Sequence, residues 1–294
     1  MKDAVRAINS VSAREKLRSY LRHPGSLVLF LLVWLSALMT VAILAALVAY
    51  VLARGVPNLN AAMFAWHYTT ENCSMTPAIV NTVVVVALTL LIAVPLGVGS
   101  AIYLVEYARR GSRLVKLVRA TTETLAGIPS IVYGLFGYLI FVITLHCGYS
   151  LLSGILTLAI MVLPTIMRTT EEALRAVPDA YREGSFGLGA GRLRTVVQII
   201  LPAAMPGILS GVILAIGRIV GETAALLYTS GTVPGVPSSL LGSGRTLAIH
   251  MYALLSEGLY TEQAYAAAVV LLALVLAING LSGLLARRMT AKKG

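Results

Sequence analysis

Two ionisable side chains fall well inside an apolar run of this chain: Arg218 and Glu222, in the segment G-R-I-V-G-E-T. A central arginine costs at least about 2.5–3.5 kcal/mol to place in a bilayer, so it is expected to face a bundle interior or a water-filled path. The four-residue offset stacks the two on one helical face. Gly207, Gly211, Leu214 and Ala225 fall near the same stripe, which puts the pair on a packed side rather than toward lipid. Two kinds of chemistry fit these residues. Arg218 and Glu222 can neutralise each other and lock the helix against a neighbour, because buried charges need partners. Or Arg218 lines an anion path, since a guanidinium offers forked donors that match a tetrahedral oxyanion.

Other chemistry is excluded by what the sequence lacks. No G-x-x-x-x-G-K-[ST] loop occurs, and the glycines at 187, 189 and 191 follow no strand, so any nucleotide is handled by another chain. There is no G-x-S-x-G motif, and the four histidines are scattered without metal-ligand spacing. An isolated ion pair also lacks the nucleophile and base that catalysis needs. The expectation is no catalytic residue, no metal and no cofactor held by this chain.

The residues that must position Arg218 belong to a membrane protein. Of the 294 residues, 58% are hydrophobic and 12% charged, against about 25% charged in soluble domains; the mean hydropathy is +0.86. A net charge of +11 would suggest nucleic acid in a soluble chain. Here it follows the loops. Basic residues crowd the arm before residue 27, the segment from Arg109 to Arg119, the segment from Arg168 to Arg194 and the tail from Arg287, while the other connections carry only Arg54 and Arg245. That alternation predicts both termini in the cytoplasm, with no nucleic-acid partner.

About six transmembrane helices are expected, at 27–53, 77–105, 124–145, 151–167, 196–228 and 264–286. The domain plan is a basic arm (1–26), a first span (27–53), a core (77–286) holding a loop at 168–194, and a tail (287–294). Within that loop, Thr170 to Val177 reads as a short helix stopped by Pro178, Asp179 as the cap of a second helix reaching about Phe186, and Gly187, Gly189 and Gly191 as a hinge. Gly207/Gly211 and Gly217/Gly221 form two G-x-x-x-G pairs, a signature of close helix packing. Cys73 and Cys147 both fall on the outer side, where they can bridge or serve as small packing residues. His146 is expected to be solvated, and the segment around His250 to dip partly into the bundle.

Glu183, Gly189, Ile199, Leu201 and Pro202 stand at the spacing E-x-x-x-x-x-G, nine residues, I-x-L-P. The pattern resembles the E-A-A loop of the permease subunits of ABC importers, with Gly184 and Ser185 where that family usually has alanines. Glycine costs a helix about 1 kcal/mol relative to alanine, which predicts fraying there or support from a partner. Three further stretches, P-L-G-V-G-S-A-I-Y-L-V-E-Y, L-A-G-I-P-S-I-V-Y-G-L-F-G and M-R-T-T-E-E-A-L-R-A-V-P-D-A-Y-R-E, precede A-I-G-R-I-V-G-E-T-A in order. Together they are similar to phosphate permeases of the PstA type.

The resemblance implies an all-α polytopic fold of the type I ABC importer (MetI-like) kind in the bacterial cytoplasmic membrane. It further implies a second permease of the PstC type, an ATPase dimer of the PstB type that binds ATP and Mg, and an extracytoplasmic phosphate-binding protein of the PstS type, all embedded in or against membrane lipid. Arg218 and Glu222 are the substrate-pathway candidates. Asp179, Tyr181, Glu183, Gly184 and Gly189 are the ATPase-coupling candidates. On this reading Glu222 accepts a hydrogen bond from the proton that hydrogen phosphate carries and sulfate lacks. Permeases for sulfate, molybdate or phosphonate are the near alternatives.

Overall fold

A computed structural model describes the backbone of residues 24–109 and 111–291 and the side chains of 25–109 and 111–284. Most of the basic arm, Arg110 and the side chains of the 287–294 tail lie outside the described residues. The chain forms two compact units, 1–53 and 54–294. In the first, helix α1 (Pro24–Gly55, its last residues in the second unit) is apolar on every side, as befits a membrane span.

The second unit is built on three long helices. Helix α2 (Thr76–Ile102) passes through Pro95 and ends in a π-turn, Tyr103–Tyr107. Helix α3 (Arg113–Ala126) is followed at a 106° bend by α4 (Ser130–Gly137) and its π-helical extension Tyr138–Thr144. Helix α5 (Leu151–Arg175) leads through a short turn to α6 (Asp179–Gly187) and α7 (Arg192–Thr195). A π-turn, Val196–Ile200, then joins α8 (Leu201–Val220) and the short α9 (Ala224–Thr229). Helices α10 (Leu247–Glu257) and α11 (Thr261–Ala291) complete the chain. Among the described residues five helices are long and apolar enough to cross a membrane, and up to six spans result if the bent α3–α4 pair is one of them. Among the described residues there is no strand.

Helix α5 is the axis of this unit, packed between α2 and α8. Val85, Ala93, Leu158, Val162, Ile166, Ala215 and Ile219 fill the core between them. A second cluster, including Leu104, Leu174, Val177, Ile200 and Ala204, closes the end that bears α6. In lipid, where helices gain little from apolar burial alone, close backbone approach supplies the contact. A methyl placed on Gly207 would lie 2.6 Å from the Ala173 side chain, one on Gly97 2.8 Å from Ile166, and one on Gly134 2.9 Å from the Ala225 backbone. Gly211 is packed just as tightly on Thr169.

Several expected boundaries move. The segment 170–177 is not a separate helix, because α5 runs without interruption from Leu151 to Arg175. The expected third span breaks at Gly127–Pro129: proline disfavours helical geometry at the preceding residue, and α3 before it is amphipathic, with basic residues beside its apolar ones. The fifth span breaks after Val220. Its second glycine pair is also not a packing seam, since the nearest outside atom to a methyl on Gly217 would be 3.9 Å away and Gly221 meets only its own helix. Cys73 and Cys147 are both free thiols.

Candidate functional site

Arg218 sits in the last turn of α8, half-buried. Gly221 ends that helix with its N–H bonded to the Gly217 carbonyl, and Glu222 follows outside any helix. The break dissolves the expected i, i+4 stack. Glu222 turns the other way and acts as a cap for α9: its Oε1 accepts the Ala225 N–H at 3.0 Å, satisfying one of the orphan donors of a helix start. Its carboxylate is buried, at 8% exposure. Leu214, expected on the packed stripe, is 61% exposed and faces outward. Among the described residues no ion pair includes Arg218 or Glu222. The guanidinium is left within electrostatic reach of Tyr133 on α4, whose hydroxyl donates to the Leu125 carbonyl at 2.8 Å. Of the two arrangements the sequence left open, the stacked pair is not formed: among the described residues Arg218 is a cation with no carboxylate within 4.0 Å, beside a broken helix.

The second set of candidates falls on α6 and its exit. Asp179 is the first helical residue and not the cap, a position held by Pro178; its charge still favours the positive helix end. Glycine at 184 does not fray α6, which continues to Gly187. Gly189 has φ +81°, a left-handed conformation that glycine adopts without a Cβ penalty. Tyr181 is 55% exposed, and Leu188 and Leu193, which the sequence analysis did not single out, are 91% and 69% exposed. Apolar tips in a segment with this much charge mark a surface for protein contact. Glu183 is exposed beside them.

Arg182, which lies within one of the family-like motifs but was given no role there, ties α6 to the bundle. Its Nη2 donates to Glu106 Oε1 at 2.7 Å and to the Leu174 carbonyl at 2.9 Å, while Nη1 donates to the Val177 carbonyl at 2.9 Å and to Asp179 at 3.1 Å. The side chains of Arg182 and Glu106 are only 15% and 8% exposed. Hydrogen bonding to Glu106 raises the Arg182 pKa above its ordinary value. The packing continues behind the helix, where Ser185 and Thr195 share a buried hydroxyl hydrogen bond of 2.8 Å.

At the opposite end of α2 and α5, the connection from 230 to 246 folds inward. Asn81 Nδ2 donates to the carbonyls of Gly235 and Arg245 at 2.8 and 3.1 Å, and Thr82 Oγ1 accepts the Leu247 N–H at 2.9 Å. Arg245 is buried with its guanidinium 4.4 Å from the Tyr68 ring centroid. His250 is fully buried in α10, and burial, aided by the Arg245 charge, lowers its pKa to about 3. His146, by contrast, is solvent-exposed. Among the described residues no cluster of histidine, cysteine or carboxylate could hold a metal.

A bundle of apolar helices with broken spans and a short charged helix at one end is the fold of type I importer permeases. The chain belongs to the family of binding-protein-dependent transport system inner membrane components, whose model matches residues 93–291. It is 34% identical over 248 residues to the probable ABC transporter permease protein YqgI of Bacillus subtilis, covering 78% of this chain and 82% of that one. It is 43% identical over 154 residues to the phosphate transport system permease protein PstA 1 of Mycobacterium tuberculosis, covering 52% of this chain and 50% of that one. The match to PstA of Mycobacterium leprae, at 38% identity, spans 64% of this chain and 62% of that relative. The chain thus spans about half to two-thirds of the phosphate permeases it matches here.

Among solved structures, a permease chain of a bacterial alginate ABC transporter superposes with a TM-score of 0.68 at 15% identity, over 93% of this chain and 98% of that one. A chain of the inward-facing MetNI methionine ABC transporter superposes at 0.56 with 20% identity, over 83% and 98%. These identities speak for the fold alone. The chain is a multi-pass membrane protein and a transport component.

Proposed function

We propose that this chain is a permease subunit of an ATP-driven phosphate importer and supplies half of the translocation pathway. The observation that carries the proposal is Arg218: a half-buried guanidinium at a helix break, with no carboxylate within 4.0 Å among the described residues. A forked donor without an acidic partner suits a transient oxyanion, and several relatives with 37–43% identity carry the phosphate permease name. Glu222 contributes differently. With Oε1 engaged by the α9 backbone, Oε2 is the acceptor for the proton of hydrogen phosphate, which favours it over sulfate.

In this scheme the 168–194 loop lies in the cytoplasm with both termini, and an ATPase dimer of the PstB type, carrying ATP and Mg, receives α6. Tyr181, Leu188 and Leu193 fill its groove, Asp179 and Glu183 meet basic groups around it, and Gly184 and Gly189 keep the surface low and turn the chain back to the bundle. A PstC-type permease supplies the other half of the path, and a PstS-type binding protein delivers phosphate from outside. Closure of the ATPases moves α6 and with it α5, a rigid-body route to alternating access.

The test is uptake of phosphate and sulfate by cells with Arg218→Ala, Glu222→Gln and the double change at equal membrane expression, with binding-protein-stimulated ATPase measured alongside. Arg218→Ala abolishes uptake while assembly and stimulation survive, the double change does not recover, and Glu222→Gln narrows the preference for phosphate. Recovery in the double variant would show a structural clamp and remove Arg218 from the path. Stimulation by sulfate or molybdate instead of phosphate would move the substrate to that anion.

A further inference from the structure

An open cavity of about 730 Å³ lies between α6 and the bundle, walled by the end of α2, by α3, by the last turn of α5 and by α7. Five guanidiniums line it, those of Arg109, Arg119, Arg175, Arg182 and Arg192. Their neutralisation is uneven. Arg182 is matched by Glu106 and Asp179. Arg119 and Arg175 share the single carboxylate of Glu171, at 2.7 and 2.6 Å. Arg109 and Arg192 have no carboxylate within 4.0 Å among the described residues; Arg192 rests over the Tyr107 ring at 5.8 Å to its centroid. Among the described residues five cations face three carboxylates, a surplus of two positive charges, and the two without a carboxylate come from the segment after α2 and from the start of α7.

From this arrangement we infer that the cavity is a binding site for a phosphoryl oxyanion that ties α6 to the bundle and so sets the strength of coupling. Two unpaired planar forks facing one space match the oxygens of a phosphate group. Two sources share that chemistry: the headgroup of an acidic phospholipid and free inorganic phosphate. The lipid source has a route, because α3 carries exposed Leu114 and Leu117 beside Arg113 and Lys116, the make-up of a helix lying in a membrane surface. The free-ion source has an open mouth on the same side. A bound oxyanion bridges Arg109, just after α2, to Arg192, which opens α7. Those are the segments between which α6 is held, so occupancy stiffens the knob against the push of an ATPase. The regulatory consequence, though not the binding, rests on the reading of α6 as the ATPase dock.

The experiment uses the assembled complex. Binding of radiolabelled inorganic phosphate is measured without the binding protein, and lipid retained from phosphatidylcholine vesicles with or without phosphatidylglycerol is identified by native mass spectrometry. Wild type binds one of the two, and Arg109→Gln/Arg192→Gln binds it at least roughly tenfold more weakly, while the ATPase still co-purifies and Arg113→Gln is unchanged. Phosphate binding in plain vesicles identifies the free ion as the source, and retained phosphatidylglycerol identifies the lipid. Arg218→Ala leaves this binding intact even as uptake is lost, which separates the cavity from the transport path. The inference is overturned if wild type binds neither probe, if the double variant binds as wild type, if Arg218→Ala abolishes the binding, or if either probe binds only after the ATPase is stripped away, since the cavity would then be a socket for the ATPase's own acidic side chains.

Discussion

Replacing Arg182 by Met removes the strut between the coupling helix and the end of α2. Glu106, with 8% of its side chain exposed, is then left as a buried carboxylate without a counter-ion, a loss of about 3–5 kcal/mol for a pair of this kind. The Leu174 and Val177 carbonyls, each accepting a guanidinium N–H at 2.9 Å, lose their donor too, whereas the bond to the exposed Asp179 contributes little. A total near 4 kcal/mol shifts the equilibrium between docked and undocked α6 by about a thousandfold. Glu106→Gln keeps an acceptor on Arg182 and costs about 1–2 kcal/mol. The double change no longer strands a buried charge, so it is less damaging than Arg182→Met alone. The assay is thermal unfolding of the purified protein in detergent together with binding-protein-stimulated ATPase in vesicles. Arg182→Met lowers both, and the double variant recovers part of the loss in a double-mutant cycle. Unchanged stability and stimulation in Arg182→Met, or a double variant as poor as the sum of the singles, would refute the strut.

Acid is expected to weaken the end of the molecule near α10. The His250 pKa is lowered to about 3 in the fold by burial, so its contribution is fully present above the unfolded value near 6.5 and is lost as pH falls toward 3, by about 2 kcal/mol at pH 5. His250→Phe flattens the stability profile between pH 7 and pH 4; an unaltered slope would place the titration elsewhere. Gly211→Val forces a branched side chain into Thr169 and costs about 1–3 kcal/mol of thermal stability, while Gly217→Val, with nothing nearer than 3.9 Å, changes it little. Equal losses at the two glycines would contradict the packing described for α8.

The all-helical membrane architecture was legible from apolar runs and loop charge, because both follow directly from the bilayer. Gly207 and Gly211 were equally legible, since their stripe lies within one unbroken helix. The shared helical face expected of Arg218 and Glu222 is not formed, because an i, i+4 argument presumes a helix and the turn at Gly221 ends it. The extension of α5 was hidden because the charges recurring from Arg168 end a membrane span, although nothing in them stops a helix. Arg182 and Arg245 were legible only as loop charges. Their importance comes from partners at positions 106 and 68, and a single sequence gives no sign of those distances.

Helix α5 is about 37 Å long at 1.5 Å per residue, and it is pinned at both ends. At one end its Leu174 carbonyl is held by the coupling helix through Arg182. At the other, the N–H groups of Ser150, Leu151 and Leu152 bond the carbonyls of Thr229, Gly242 and Leu240. Such a rod is a lever arm: a tilt of about 5° displaces its tip by about 3 Å over that length. Displacement of α6 would tilt this rod and move the 229–242 connection at its far end, with Pro164 as the point along α5 where a missing backbone bond lets the lever bend.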